Sequence, residues 1–420
     1  MKINRRSLVA VGIFVVLGAL VVAGKWYEVR RTTPGALSNA VTVNVTSGAD
    51  RGPGTLREAL FVVATATSAA RVSLQVPHIT LETSLPPLVN GHGVSIVGPP
   101  TGAEVDAGSL KSGAVFDVTA PNTAIEGVVI RNCPGAAILL RAARFRLQSS
   151  TIEGCDVGVD VAENASDVLI EHNRFANDRV GLRFAASGRN TTVVGNEFSM
   201  NKDAGLWAVR SEPDLRGSAI SVRDNRFDNE HTGIVAGNVS TLVEHNSVTG
   251  AQEAAVHLVG AGAVIRGNRV SGGAGMGIIA ENARAAIIED NEIDGMAAYA
   301  IMVRGSSNTL VRANRLHNCG YGMAFVLGDT SNPSTAVDNT IIEPKFNGID
   351  VIGDTPILRR NQVLRPHAFA LHVEDFSPPD GRAKVRGAPF LDGNSFGAAA
   401  SAAPTPPPVA ARQSGQTTAP

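Results

Sequence analysis

Apolar residues along this chain fall in short clusters that recur at a nearly constant interval, each closed by an Asn and followed two residues later by Phe, Val, Ile or Leu. The asparagines are Asn173, Asn196, Asn225, Asn246, Asn268, Asn291, Asn314, Asn339 and Asn361, so the steps by subtraction are 23, 29, 21, 22, 23, 23, 25 and 22. A fixed period of this size predicts a stacked repeat, in which each unit buries its apolar face only against its neighbours. Within one unit the pattern alternates with a period of two. From Asn268 the chain reads Arg269-Val270, a Ser/Gly turn to Gly275, Gly277-Ile-Ile-Ala280, then Ala286-Ile-Ile288 before the next Asn. Three short strands separated by turns use up the interval, which leaves no room for a helix of ordinary length.

The unit is therefore one rung of an all-β, right-handed parallel β-helix, with rungs stacked ~4.8 Å apart. Asn in the same turn of successive rungs is expected to hydrogen-bond up the stack as a polar ladder. Upstream the ladder position is taken by Ser150 and, one rung earlier, by Val128. Alternation also assigns an outward-facing column on the strand after the Gly turn: Leu139, Asp160, Arg183, Trp207, Val235, His257, Ile279, Met302, Ala324, Asp350 and His372. Cys133, Cys155 and Cys319 share one turn position; Cys133 and Cys155 lie on consecutive rungs, close enough for a disulfide by spacing. The simpler expectation is three small apolar side chains in a turn.

The repeated Asn-x-Phe/Val/Ile and Gly-Ile/Leu/Val-x-Val/Phe/Ala units resemble the pectate-lyase-like superfamily of right-handed parallel β-helix proteins, over about Val41 to Phe396. The segment Ser47-Gly-Ala-Asp-Arg-Gly-Pro-Gly-Thr-Leu-Arg-Glu-Ala-Leu60 resembles the entry of many secreted members, a strand, a turn and a short helix. Thr55 and Glu58 form a capping box, and Leu56, Ala59, Leu60 and Val63 make one apolar stripe, as expected of a helix covering the open end of the stack. The resemblance implies polysaccharide binding on the outward column and its flanking loops. It does not extend to known active-site motifs: Asp-Pro-His-Asp, associated with β-helix mannuronate epimerases, is absent, and Arg365-Pro-His367-Ala keeps only its core. No cluster of three acidic residues marks a calcium site and no Cys/His spacing marks zinc, so no metal ligands are assigned and the cofactor is unknown.

Charge excludes one class of partner. A formal net charge of −1 over 420 residues supplies no field for nucleic acid. Residues 1–24 carry Lys2, Arg5 and Arg6 ahead of an apolar run from Leu8 to Gly24, which fits a signal peptide or a signal anchor in the membrane. The expected organisation is this segment, a linker over 25–40, the β-helix over 41–396, and a disordered Ala/Pro-rich tail over 397–420. The protein is expected to be exported, periplasmic or extracellular, and anchored to the inner membrane by its N-terminal helix.

Two polar groups on the outward column are candidate sites. The first joins Asp160, Arg183 and Trp207 on consecutive rungs with His257 two rungs on. Trp presents a flat apolar face to a sugar, and Arg with Asp grips a carboxylate and a hydroxyl. The second joins Asp350 and His372 on adjacent rungs, with Glu374 and Arg304 on the same face, where His beside a carboxylate makes a general base. The first group offers the better binding surface and the second the better proton transfer, without an aromatic platform. An exposed ion pair worth under ~1 kcal/mol and ordinary surface histidines are the plain alternatives. Insertions at Ser211–Gly217, Asp329–Thr335 and Asp375–Lys384 mark loops where a ligand would be met. The function expected is polysaccharide binding, with uronate lyase or C5-epimerase chemistry, against a non-catalytic periplasmic or cell-surface scaffold.

Overall fold

The computed structural model describes residues 40–184, 189–209, 219–237, 240–378 and 384–398. The apolar N-terminal segment, its linker as far as residue 39, the Ser211–Gly217 insertion and the tail from residue 399 lie outside the described residues. No helix among the described residues is long and apolar enough to cross a membrane.

The described chain winds into three parallel sheets. The first has 15 strands, from Val41–Val45 to Phe390–Asp392; the second has 14, from His78–Thr80 to Ser395–Phe396; the third has 12, from Phe116–Val118 to Leu371–Glu374. Each strand pairs with its counterpart one rung away, as in Val270 with Val248 and Ile293. Inward residues close the core with almost no exposure: Ile152, Phe175, Phe198, Phe227, Ile293, Ile341 and Val363 are buried completely or nearly so. Phe175, Phe198 and Phe227 stack ring on ring at 4.9 and 4.6 Å, because equivalent positions on successive rungs stand one strand spacing apart. Beside that stack runs a column of small residues. A Cβ on Gly205 would lie 2.7 Å from the Phe227 ring and 3.0 Å from the Gly233 carbonyl oxygen, so beside the aromatic stack there is no room for a side chain at that position.

The Asn ladder forms as the period predicts. Asn268 Oδ1 accepts from the Asn246 backbone N–H at 2.9 Å and from Asn246 Nδ2 at 3.0 Å, and Asn268 makes the same two bonds to Asn291. The series runs from Ser150, whose N–H donates to Asn173, to Asn394, which accepts from Asn361. Ser150 Oγ accepts from Val128 N–H at 3.2 Å and so heads the stack. The residue before each ladder position takes positive φ, including His172 at 55°, Asp290 at 55° and Gly267 at 62°. That bend aims the following N–H and side chain along the helix axis instead of into the sheet.

One helix, Leu56–Ala64, lies against the first two strands of the first sheet, with Leu56, Ala59, Leu60 and Val63 buried in the core. Thr55 accepts from the Glu58 N–H, as its capping sequence requires, while Glu58 reaches back to the Gly54 N–H at 2.6 Å. The cysteines depart from the plain expectation. Cys133 and Cys155, with Cα atoms 4.2 Å apart, are joined as a disulfide between consecutive rungs. The stack brings equivalent turn positions together, so two thiols there meet without any loop movement. Cys319 is unpaired and buried, and burial pushes its thiol up to about 11.

Candidate functional site

The third sheet presents the outward column in the register set by alternation. Asp160 pairs with Arg183, Arg183 with Trp207, Trp207 with Val235 and Val235 with His257; further on, Ala324 pairs with Asp350 and Asp350 with His372. Register brings the residues together as expected. Side-chain partners then separate the two groups.

In the first group Arg183 is already committed. Its Nε and Nη2 hold both carboxylate oxygens of Asp160 at 3.0 and 2.8 Å, so the fork expected to grip a ligand carboxylate grips its neighbour. At the adjoining turn Arg179 likewise holds Asp156 at 2.6 Å and Asp203 at 3.0 Å, and its hydrogen bond keeps the Asp156 carboxyl below the usual range. His257 stands two rungs from Trp207, across Val235, as counted. It lies 3.3 Å from Glu281, whose other oxygen is 3.7 Å from Arg304. The His257 hydrogen bond lowers the Glu281 carboxyl. Arg304 therefore belongs with His257, not with the Asp350 group as the sequence suggested, because its column is two residues removed and its rung neighbour is Glu281.

The second group is tighter than spacing alone implied. Asp350 faces outward yet is 2 % exposed. Three donors enclose it: Tyr299 Oη at 2.8 Å, Asn347 Nδ2 at 2.7 Å and His372 Nδ1 at 3.1 Å. Burial raises the Asp350 carboxyl in spite of those bonds, and burial raises the Tyr299 hydroxyl as well. Asn347 also accepts from the Phe369 N–H at 3.2 Å, which ties the carboxylate to the next rung. With Nδ1 donating to Asp350, the other ring nitrogen of His372, Nε2, is the one turned away from the carboxylate. The His372 side chain keeps 37 % of its surface exposed, against 3 % for Asp350.

An aromatic platform stands beside this pair, contrary to the sequence reading. Tyr299 stacks on Tyr321 at 4.5 Å, Tyr321 on Phe346 at 4.8 Å, and Phe369 lies 6.0 Å from the His372 ring. Tyr299 is buried, Tyr321 and Phe346 are half-buried, and Phe369 is exposed. The signal was present in the chain: these aromatics are 22, 25 and 23 residues apart, in phase with the ladder but at a turn edge where alternation was not followed. Glu374 is on the same face, at the end of the His372 strand. Among the described residues no three His, Cys, Asp or Glu side chains gather as metal ligands.

The right-handed β-helix family model matches residues 107–216 and 214–363, more than half of the sequence. The chain belongs to that family. No curated protein matches its sequence. Among solved structures this β-helix is similar to the A-module of mannuronan C-5 epimerase AlgE6 from Azotobacter vinelandii, with 13 % identity and a TM-score of 0.59 over 84 % of this chain and 98 % of the other. It is also similar to the catalytic unit of a GH87 α-1,3-glucanase from Streptomyces thermodiastaticus, with 16 % identity and a TM-score of 0.51 over 86 % and 69 % of the two chains. A third likeness is the tailspike protein of E. coli bacteriophage HK620 in complex with a pentasaccharide, with 13 % identity and a TM-score of 0.53 over 87 % and 81 %. At these identities the likeness is one of fold.

Proposed function

We propose that this β-helix binds polysaccharide along the outer face of its third sheet and abstracts a proton from a uronate unit at His372. One observation carries the reading: a buried carboxylate, Asp350, holds His372 against Phe369, on the face where Tyr321 and Phe346 stack. Flat aromatic faces suit the apolar faces of sugar rings, and an imidazole whose Nδ1 is bonded to a carboxylate has its other nitrogen free as a base. The three structural neighbours named above are an epimerase, a glucanase and a saccharide-bound tailspike, which agrees with a glycan partner.

Chemistry at this centre follows from the tautomer. His372 Nε2 takes the proton from the carbon bearing the carboxylate. The freed electron pair then takes a proton from water on the opposite face, giving the epimer, and the His372 imidazolium returns its proton to solvent. In the alternative course it forms a carbon–carbon double bond while the adjacent C–O bond breaks, its electron pair leaving on an oxygen that water protonates. Asp350 stabilises the imidazolium that forms, and Tyr299 and Asn347 position Asp350. Lys345, exposed on the turn that carries Phe346, is the cation nearest in sequence to that strip for the substrate carboxylate.

The test is exchange at that carbon. In deuterated water with a polyuronate, the wild-type chain is expected to place solvent deuterium there or to form unsaturated ends, and His372→Gln to do neither. Binding without exchange or cleavage would leave a glycan-binding protein, and absence of any glycan binding would leave the scaffold reading. Export and anchoring through residues 1–24 are part of the same proposal, supported by the charged and apolar pattern of that segment.

A further inference from the structure

The proton-transfer pair occupies an end of its sheet. Among the described residues His372 lies on the last strand of the third sheet, Leu371–Glu374, which pairs with Ile349–Ile352 on one side and with no other strand of that sheet. Past Glu374 the chain turns out of the sheet. The Asp375 carboxylate accepts the Gly387 N–H at 3.0 Å, and Phe376 pairs antiparallel with Val385 through two bonds of 2.8 Å. Gly387 returns against the His372 strand, where a Cβ would lie 2.5 Å from the Glu374 carbonyl oxygen and 3.1 Å from a Val373 methyl. The chain then enters Phe390–Asp392 and Ser395–Phe396, which close the other two sheets and add nothing to the third.

On the outer face of the third sheet the aromatic surface lies on the opposite side; Phe390 and Leu391, exposed beyond His372, belong to the first sheet. From His372 it runs back over Phe369, Phe346 and Tyr321; Met302 and Ile279 follow on the outward column, and His257 and buried Val235 then stand between Ile279 and Trp207. Trp207 is seven rung steps from His372 in the pairing register, or ~34 Å at ~4.8 Å per rung. A ligand laid along this face has a long track on one side of the base and a chain reversal on the other.

We propose that the site takes the end of a polysaccharide chain, with the terminal sugars at Phe369 and His372 and the interior of the polymer running toward Trp207. This rests on the glycan reading above and adds the substrate class: chain ends rather than chain interiors. A polymer interior needs room in both directions from the base, and this sheet gives it one.

Stoichiometry tests the idea without relying on turnover. Size-fractionated polygalacturonate and alginate are titrated calorimetrically into the full chain carrying His372→Gln, so that the chains are not shortened during the measurement. One protein bound per polymer chain, whatever the length, is the expected result. A number of proteins per chain that grows with length would overturn end recognition while leaving glycan binding intact. No binding by any fraction would overturn the glycan reading and this inference with it. Should His372→Gln not fold, the wild-type chain in deuterated water gives the same decision: cleavage that retains solution viscosity, or deuterium confined to chain-terminal units, is expected, and an early collapse of viscosity, or deuterium spread through chain interiors, would overturn end recognition.

Discussion

Replacing Asn268 by Ala removes one rung of the buried ladder and leaves a defined set of groups unpaired. The Asn246 N–H loses its acceptor, the Val243 and Arg266 carbonyls lose the Nδ2 donor at 3.0 and 3.1 Å, and Asn291 Oδ1 loses one of its two donors. Asn246 Nδ2 keeps its bonds to the Val222 and Glu244 carbonyls, so the orphaned Asn246 N–H is the main loss. A buried donor without a partner costs ~1–3 kcal/mol, and the weakened carbonyls add to it, for a total of about 2–4 kcal/mol. Asn268→Asp keeps the shape but turns an oxygen toward two carbonyls, so it is expected to cost at least as much. Asn268→Ser should recover part of the loss, since Ser150 Oγ already accepts a backbone N–H at the head of the ladder. The exposed Arg269–Glu292 pair is the control, and Arg269→Ala should cost under ~1 kcal/mol. Urea denaturation reads the stability, and hydrogen exchange at the Asn246 amide reads the site directly. If Asn268→Ala and Asn268→Asp both unfold with the wild type and the Asn246 amide stays as protected, the ladder does not support the stack.

Stability should depend on pH through a second polar stack, in which Asp178 and Glu230 flank Asn201. Both carboxyls are fully buried and pushed up to about 8 by burial, against about 4 in the unfolded chain. The folded state therefore holds protons that the unfolded state releases, so stability from these groups falls as pH rises from about 4 to about 8. Melting temperature is expected to drop across that window and to drop less in Asp178→Asn with Glu230→Gln; an identical slope would refute the assignment. In the glycine column, Gly205→Val should lower the melting temperature steeply because its Cβ meets the Phe227 ring, and Phe227→Ala in the same chain should restore part of it. Trp207→Ala should weaken only oligosaccharides long enough to span the ~34 Å from His372, leaving short ones unaffected; an equal loss for all lengths would place the chain end near Trp207.

The backbone architecture was readable because a rung is a local object whose period, alternation and turn residues repeat. Every strand pairing along the outward column, from Asp160–Arg183 to Asp350–His372, follows from counting. What counting could not supply was the competition among neighbours. Arg183 had an acid one rung away, and a bidentate partner in fixed register takes the guanidinium before any ligand does. Arg304 shared a face with Asp350 but met Glu281 first. Asp350 was placed outward by alternation, yet Tyr299 from two rungs earlier and Asn347 from a turn bury it, and neither belongs to its column. The disulfide was within reach of the spacing argument; the stack joins Cys133 and Cys155 where an apolar pair was the simpler expectation.

The central claim is that glycan lies on the strip from Tyr321 to His372. Binding of polygalacturonate and alginate oligosaccharides to the full chain, measured for wild type, Phe346→Ala and Arg183→Ala at matched melting temperature, tests it most directly. Phe346 lies in the stack beside the base, whereas Arg183 is tied to Asp160. The account predicts that Phe346→Ala loses most of the affinity and that Arg183→Ala keeps it. Affinity that survives Phe346→Ala and disappears with Arg183→Ala would contradict it and move the site to the first group.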